Sequence, residues 1–180
     1  VAGAGGRVVV VGGWVRDRLL GEHSNDVDLE IFGLSPEAIS RLLRPIGFTD
    51  PVGRHFPVWR ETRLGVDAAY PRAGADSYSA DSQASLETAF REASRPRDLT
   101  INAIGWDPLT DELIDPWNGR ADLKARLLRA VDLTTFGSDP LRVPRGARLR
   151  ARFQARGEPE LVESCRALDL GPLPVERTTS

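Results

Sequence analysis

The chain has 180 residues, of which 41% are hydrophobic and 28% charged, and its formal net charge at pH 7 is −2. These values are typical of one folded domain, or of one domain with a small appendage, and exclude disorder along the whole chain. The longest apolar run, around residues 8–11, is far too short to span a membrane. With only two histidines and one cysteine, a zinc site built from His and Cys ligands is excluded as well.

The single cysteine, Cys165, has no second cysteine with which to form a disulfide in this chain. We expect it to pack in a core, because a lone cysteine in an apolar helix usually does so. So little cysteine fits a reducing compartment, and no basic segment followed by a long apolar stretch marks a signal peptide. We therefore expect a cytoplasmic location.

The first half of the chain is predicted to alternate strands with short helices. Residues 7–11 are apolar and β-branched and predict a buried strand, which Gly12 and Gly13 end before a short helix over residues 14–20. Residues 26–32 alternate apolar and acidic side chains, which predicts a half-buried strand with its carboxylates on one face. The remaining predictions are a helix over residues 35–44 and strands over residues 56–61 and 65–69.

The second half is predicted to be mainly helical. Residues 73–85 are small and polar, so we expect a mobile loop there, and residues 101–106 and 112–114 flank a turn. We expect a first domain to end near residue 135 and residues 136–180 to form helices. The predicted helices cover residues 86–94 and 122–130, begin again at Asp139, and cover residues 158–168.

Asp26 and Asp28 are a pair of carboxylates spaced two residues apart on a predicted strand. Such residues share a face about 7 Å apart, which suits oxygen ligands for divalent metal ions. Two ions about 3.5–4 Å apart serve in-line phosphoryl or nucleotidyl transfer. Solvated strands carry the same pattern, and Asp67 is either a third, supporting carboxylate or a solvated edge residue.

Gly12 and Gly13 follow the first strand directly and precede a helix. This arrangement presents bare backbone N–H groups and a helix N-terminus to a phosphate. A dinucleotide-binding turn is the alternative, but it requires G-x-G-x-x-G after the strand, whereas this segment reads GGWVRD. The pattern therefore favours a triphosphate site.

Arginine is concentrated between residues 139 and 157, where no acidic residue follows Asp139. Such a stripe is either a solvated helix face or a contact for phosphate or RNA. The six arginines are Arg142, Arg145, Arg148, Arg150, Arg152 and Arg156.

Six sequence blocks occur in a characteristic order between about Val8 and Phe153. They are VGGWVRDRLLG, DVDLEIFGL, GRHFPV, PRDLTINAI, LIDPWNGRADLKARLLRAV and FGSDPLRVPRGARLRARF. Together they resemble the bacterial class II tRNA nucleotidyltransferase (CCA-adding) and poly(A) polymerase family of the polymerase-beta superfamily. The resemblance implies an α/β (α+β) catalytic head over residues 1–135, with a small mixed, largely antiparallel sheet backed by helices. It implies the start of a helical neck over residues 136–180, truncated relative to the family's longer helical body.

The resemblance also implies roles for individual residues. Gly12, Gly13 and Arg16 would cradle the triphosphate. Asp26 and Asp28 would bind Mg²⁺, in a two-metal site, and activate the primer 3′-hydroxyl. The other implied site residues are Asp67 as catalytic support, Arg97 at a phosphate, Asp98 and Asn102 at the ribose, Asp139 and Arg142 at the base edge, and Arg145 and Arg148 near the nucleotide.

The predicted base contacts have a chemical rationale. Asp139 would accept a hydrogen bond from an exocyclic amine, and Arg142 would donate to a ring nitrogen or carbonyl group. Cytosine and adenine carry such an amine, whereas uracil and guanine carry an acceptor at the matching place. The pair therefore favours CTP and ATP, because a wrong base leaves buried polar groups unpaired at a cost of about 1–3 kcal/mol each.

Some features depart from the family's pattern. Ser138 stands where glutamate is usual, and Pro144 would kink a helix that began at Asp139, at a cost of up to about 3 kcal/mol. Residues 73–85 look shorter than the corresponding loop of relatives that add a complete CCA end. With Tyr78 as the only large side chain in that segment, we expect little packing to anchor it. We therefore expect C addition to outrun terminal A addition.

The function predicted from the sequence is Mg²⁺-dependent transfer of CMP and AMP from CTP and ATP to the 3′ end of tRNA. The alternatives are a poly(A) polymerase, which shares these motifs, and a non-catalytic nucleotide- or RNA-binding remnant, which Ser138 and Pro144 would favour. The intact Gly12, Asp26 and Asp28 favour an active enzyme. No membrane partner is expected, and the sequence indicates no oligomeric state.

Overall fold

The computed structural model describes residues 1–53, 56–78 and 83–168. The chain divides into two compact units. The first contains Val1–Ser94 and Ile104–Pro116, and the second contains Arg95–Ala103 and the chain from Trp117 onward. These units are defined by packing and do not divide at residue 135, so the functional boundary expected there stays a prediction.

The first unit contains one mixed sheet with helices on both faces. Among the described residues its six strands are ordered β3-β4-β2-β1-β5-β6, and every neighbouring pair is antiparallel except β2 and β4. The predicted fold class is therefore confirmed. The elements are β1 (Arg7–Val11), α1 (Gly13–Leu19), β2 (Val27–Phe32), α2 (Pro36–Leu43), β3 (Val58–Glu61), β4 (Val66–Ala69), α3 (Gln83–Ser94), β5 (Gly105–Asp107) and β6 (Glu112–Ile114).

Alternating side chains of the strands build a core on each face of this sheet. Val9, Val11 and Phe32 pack with Leu86 and Phe90 of α3. On the other face a second cluster packs against α2, and it contains Ile31, Ile39, Leu43, Trp59 and Ala68. The period of two in β1 and β2 therefore holds the central strands between two helical layers.

The start of α2 follows the sequence prediction. The Oγ atom of Ser35 accepts a hydrogen bond from the backbone N–H of Ala38 at 3.3 Å, and Pro36 occupies the first helical position. Both residues are favoured there because the first turn of a helix has N–H groups without intrahelical partners.

The segment predicted as a mobile loop, residues 73–85, is partly ordered by packing. Its last three residues belong to α3, which begins at Gln83 rather than at residue 86. The side chain of Tyr78 packs on Phe32, with ring centroids 6.5 Å apart, and Ser77 donates a hydrogen bond to Glu92 at 2.7 Å. The expectation that little packing anchors this segment is wrong for residues 73–78, and residues 79–82 lie outside the described residues.

The second unit combines short helices with a two-stranded parallel ladder. Its elements are α4 (Gly119–Lys124), β7 (Leu127–Leu128), α5 (Leu133–Phe136), α6 (Arg142–Phe153), β8 (Arg156–Gly157) and α7 (Pro159–Ala167). The core combines leucines from several of these elements with buried aromatic and small residues. Cys165 packs against this core, and burial raises the pKa of its thiol.

One element prediction in this part of the chain is wrong. The helix predicted over residues 122–130 ends at Lys124, because Arg126 has φ 51° and Leu127 pairs with Arg156. In the first unit, the turn predicted between residues 101–106 and 112–114 lies between β5, which begins at Gly105, and β6.

Helix α6 begins at Arg142, not at Asp139 as predicted. The N–H of Arg142 bonds to the carbonyl of Asp139, whereas the N–H of Arg145 bonds to Leu141, so the pattern changes from i−3 to i−4 across Pro144. Pro144 thus lies in the first turn, where its missing N–H removes no intrahelical bond. The kink predicted for a helix starting at Asp139 does not arise.

None of the helices in the described ranges has both the length and the apolar character needed to cross a membrane.

Candidate active site

The two glycines after β1 have different structural tasks. Gly12 caps α1 with φ 75° and ψ −142°, a backbone region open essentially to glycine only. A Cβ on Gly13 would lie 3.3 Å from Nη2 of Arg16, so the guanidinium folds against the start of the helix. Arg16 is only 6% exposed, and its Nε donates to Oδ1 of Asp17 at 2.8 Å. The structure therefore brings the three predicted triphosphate residues together.

A row of charged residues crosses three neighbouring strands of the same sheet. Asp28 on β2 lies directly opposite Asp67 on β4, and Asp67 lies directly opposite Arg60 on β3. Neighbouring strands are about 4.8 Å apart, so the three side chains are adjacent. Asp26 precedes β2, which is one residue shorter than the predicted strand of residues 26–32.

This row borders a cavity of about 310 Å³. The cavity is lined by Asp26, Val27, Asp28, Arg60, Glu61, Thr62, Gly65 and Asp67. All three aspartates predicted for catalysis therefore face one space.

Two carboxylates of the cavity are held by arginines. Arg60 Nε donates to Oδ1 of Asp67 at 2.9 Å and Arg60 Nη2 donates to Oδ2 at 3.0 Å, which is a bidentate pair. Glu61 is 3% exposed and accepts from Arg63 Nε at 2.8 Å and from the N–H of Leu64 at 2.7 Å. These two hydrogen bonds lower the pKa of Glu61. Asp26 and Asp28, the pair predicted from the sequence, line the same cavity and remain the candidate ligands for a cation.

The donor set fits a magnesium ion that arrives with a nucleotide. In residues 1–53, 56–78 and 83–168, no group of three His, Cys, Asp or Glu side chains could hold a metal ion. Two carboxylates suffice for Mg²⁺, because it keeps several waters and is commonly bound by one or two carboxylates and by substrate phosphates. Asp26 and Asp28 provide such oxygen donors, whereas Asp67 faces Arg60.

Asp98 is the centre of a polar cluster in the second unit. It is 7% exposed, and its Oδ1 accepts from the N–H of Leu99 at 2.8 Å and from Nδ2 of Asn102 at 3.0 Å. Its Oδ2 accepts from Nη1 of Arg145 at 3.1 Å. Arg97 Nη1 lies 3.5 Å from the carbonyl oxygen of Asn102. Four of the predicted nucleotide-binding residues therefore form one cluster.

Asp139 and Arg142, the predicted base-reading residues, bind backbone groups. Oδ1 of Asp139 accepts from the N–H of Leu141 at 3.0 Å. Arg142 is 8% exposed and donates from Nη1 to the carbonyl of Thr135 at 2.9 Å and from Nη2 to the carbonyl of Pro96 at 2.6 Å. Arg142 thus joins the start of α6 to two other segments of this unit. Base reading by the two residues stays a prediction.

The arginine stripe lies mostly on the outer surface of α6. Arg145 and Arg148 are exposed, as are Arg150 and Arg152, whereas Arg142 and Leu149 are buried. Residues three or four apart share a helix face, so Arg145, Arg148 and Arg152 form one cationic line. Such a line suits either alternative stated for the stripe, a solvated face or a phosphate contact.

The family assignment follows from a match to residues 8–129. They match the family model described as the poly(A) polymerase head domain. The chain belongs to this family. The resemblance seen in the six sequence blocks is therefore confirmed.

Curated relatives of this family are much longer than the chain. The multifunctional CCA protein of Pseudomonas fluorescens is 41% identical over an alignment of 183 positions, which covers 96% of this chain and 43% of the relative. The CCA-adding enzyme of Pseudomonas putida is 41% identical over 155 residues, which cover 84% of this chain and 40% of the relative. The chain thus spans less than half the length of these two proteins.

Solved structures share the fold of the chain. A tRNA-processing enzyme with CTP has a TM-score of 0.72 and 28% identity, with 92% of this chain and 43% of that chain covered. A tRNA nucleotidyltransferase with a primer tRNA and an incoming ATP analog has a TM-score of 0.71 and 27% identity, with coverage of 92% and 47%. The Thermotoga maritima CCA-adding enzyme with tRNA has a TM-score of 0.70 and 27% identity, with coverage of 89% and 37%.

Two residues that shape this carboxylate cavity, Gly65 and Arg60, were not predicted from the sequence. Gly65 has φ 65°, and a Cβ there would lie 2.9 Å from the carbonyl oxygen of Asn25. Glycine therefore lets the start of β4 approach the segment that carries Asp26. The segment WRETRLGVD could have predicted the contact between Arg60 and Asp67. A hairpin with its turn at residues 62–65 places these two residues opposite each other.

Proposed function

We propose that this chain is the catalytic part of a cytoplasmic tRNA nucleotidyltransferase that transfers CMP and AMP from CTP and ATP to the 3′ end of tRNA with Mg²⁺. The observation that carries the proposal is the cavity lined by Asp26 and Asp28 beside the row that contains Asp67. Two similar solved proteins, the Thermotoga maritima CCA-adding enzyme and a tRNA nucleotidyltransferase, are described as complexes with tRNA, which supports the choice of tRNA as the acceptor.

In the first unit, Asp26 and Asp28 would bind Mg²⁺ and orient the primer 3′-hydroxyl. The ion would supply electrostatic stabilisation of the charge that develops on the transferred phosphoryl group. The Gly12 turn offers backbone N–H groups to the triphosphate, and Arg16 adds a cation held in place by Asp17. Each of these groups is positioned before a nucleotide arrives, which lowers the entropic cost of alignment.

In the second unit, the Asp98 cluster would hold the nucleotide through its ribose. A buried carboxylate that already accepts from three donors is rigid, and carboxylates are suitable acceptors for a ribose hydroxyl. Asp139 and Arg142 would read the base edge in favour of cytosine and adenine. A guanidinium has five N–H groups, and two of those of Arg142 bond to the carbonyl groups of Thr135 and Pro96. The remaining N–H groups can contact a base.

Addition of C is proposed to outrun terminal addition of A. One pocket must present the same polar groups to a pyrimidine and to a larger purine, so an element near the base has to move. The preference for CC ends rests on the short segment of residues 73–85 and on Ser138 in place of glutamate, which removes an acceptor that could fix the pose of Arg142.

The test is incubation of the chain with tRNA lacking CCA, Mg²⁺ and each nucleotide separately, then with CTP and ATP together, read on a gel at single-nucleotide resolution. We expect incorporation from CTP, little from UTP or GTP, and a product that stops mainly after CC. Tailing of generic RNA with ATP alone would favour the poly(A) polymerase. No incorporation under any condition would favour the non-catalytic remnant, and efficient completion of CCA would contradict only the CC preference.

A further inference from the structure

Arg60 is not among the residues to which the family resemblance gives a role, yet it makes the most extensive side-chain contact in the carboxylate cavity. Three hydrogen bonds join it to Asp67, at 2.9, 3.2 and 3.0 Å. The Arg60 side chain is 62% exposed and that of Asp67 is 32% exposed, so the pair lies at the opening rather than in the core. Arg60 is therefore distinguished by its position in the sheet and not by a contribution to folding.

The strand register explains why an arginine is needed there. Asp28 and Asp67 are directly opposite residues on parallel strands, and like charges at that spacing repel each other. Asp26 and Glu61 add two further carboxylates to the same cavity. Arg63 is bound to Glu61, so Arg60 is the cation that faces Asp67. Without Arg60, the negative charge beside Asp28 would increase by one.

We propose that Arg60 is a positioning residue that keeps Asp67 out of the metal coordination sphere and sets the charge of the cavity for a cation bound by Asp26 and Asp28. The proposal rests on the metal role assigned to these two aspartates under the proposed function. An ion held by two carboxylates keeps coordination positions for triphosphate oxygens and water, whereas a third carboxylate would occupy one of them.

Binding of Mn²⁺ alone, followed by the EPR signal of the free ion, tests this role without reference to catalysis. Arg60→Ala releases Asp67 and should tighten Mn²⁺ binding about tenfold, since a unit charge a few ångströms from a divalent ion is strongly felt. Asp67→Asn leaves Arg60 as an uncompensated cation and should weaken binding by a similar factor. The double variant should return close to the wild-type affinity, and Arg60→Lys, which retains the charge, should also remain close to it.

The matched control is Arg44→Ala, which removes an exposed arginine paired with Asp50 outside the cavity and should leave Mn²⁺ affinity unchanged. Circular dichroism would establish that each variant is folded. If Arg60→Ala did not tighten binding, the proposal would be overturned. If the double variant bound as weakly as Asp67→Asn, Asp67 would be a metal ligand and the proposal would also be overturned. Absence of Mn²⁺ binding in the wild type, or full binding in Asp28→Asn, would instead overturn the metal site itself.

Discussion

The carboxylate cavity of the first unit and the Asp98 cluster of the second unit use charged residues in opposite ways. Several carboxylates line the cavity, and two of them are paired with arginines, Asp67 with Arg60 and Glu61 with Arg63. In the cluster, Asp98 already accepts hydrogen bonds from three donors of its own unit. The carboxylates of the cavity can therefore coordinate a cation, whereas the cluster is a hydrogen-bonded framework that would hold a nucleotide.

Burial accounts for this difference. Asp98, Asn102 and Arg142 are each at most 8% exposed, and buried polar groups must be hydrogen-bonded to avoid a large desolvation cost. Asp26 and Asp28 are exposed, so they pay little desolvation cost and remain accessible to a cation. Substitutions in the cavity should thus affect catalysis more than stability, and substitutions in the cluster should affect both.

The largest expected effect is on catalysis by Asp28→Asn. Loss of a metal ligand should lower the rate of CMP transfer by about a thousandfold or more, because the stabilisation of transition-state charge is lost. Thermal unfolding should hardly change, since the side chain is exposed. Asp26→Asn should behave in the same way. Turnover near the wild-type rate in either variant would remove the metal assignment.

The second prediction concerns the framework. Arg142→Ala should lower the free energy of unfolding by about 3 kcal/mol, because the carbonyl groups of Thr135 and Pro96 lose charged donors. Arg148→Ala is the matched control on the exposed face of α6 and should cost less than about 0.5 kcal/mol. Urea denaturation of both variants would measure these changes in the free energy of unfolding. Equal stabilities would show that Arg142 has no framework role.

The glycine turn offers a paired test within the first unit. Gly12→Ala should cost about 2 kcal/mol, because alanine is strained at φ 75° and ψ −142°. Gly13→Ala should cost clearly less, because the φ of Gly13 is not positive and the new methyl group meets only the guanidinium of Arg16, at 3.3 Å. Denaturation curves of the two variants would reveal the difference, and a larger cost at Gly13 would contradict the assignment of the two glycines.

The arginine line on α6 should be visible in the salt dependence of RNA binding. If Arg152 neutralises one phosphate, Arg152→Ala should reduce the slope of log K against log salt concentration by about 0.7–0.9. Filter binding of tRNA at several salt concentrations would measure the slope. An unchanged slope would identify this face of α6 as merely solvated.

The smallest expected effect is the pH dependence contributed by Glu61. Its pKa is lowered below 4.5 in the folded state by Arg63 and the N–H of Leu64, so its stabilising contribution is present at neutral pH. That contribution is lost as the pH falls below about 4.5, through the folded-state pKa. The stability difference between the wild type and Glu61→Gln should therefore shrink between pH 6 and pH 3. A constant difference would argue against ionised Glu61 as its source.

Local patterns predicted much of the first unit. The β-branched run of β1, the alternation in β2 and the Ser35 cap each depend on neighbours close in sequence, and the structure reproduces them within about a residue. The approach of the Arg16 guanidinium to Gly13 also depends on a short separation. These elements are predictable because one period or one cap determines each of them.

The features that were missed depend on contacts between distant residues. Leu127 and Leu128 fit a helical pattern but pair with residues 156–157, and the αL conformation of Arg126 ends α4 before them. The partners of Arg142 lie 7 and 46 residues away. Neither contact is marked by a periodic pattern or a motif in the sequence. The apolar pattern alone therefore favoured a helix at residues 127–128, and the framework role of Arg142 was not predicted.

The central claim, that the metal site is the cavity lined by Asp26 and Asp28, is tested most directly by paramagnetic line broadening. ¹⁵N–¹H spectra of the chain with CTP would be recorded at substoichiometric Mn²⁺. We expect the amide signals of Asp26, Asp28, Gly65 and Asp67 to broaden first, and Asp28→Asn to abolish that broadening. Broadening centred on Asp98 and Asn102, or an unchanged pattern in Asp28→Asn, would contradict the claim.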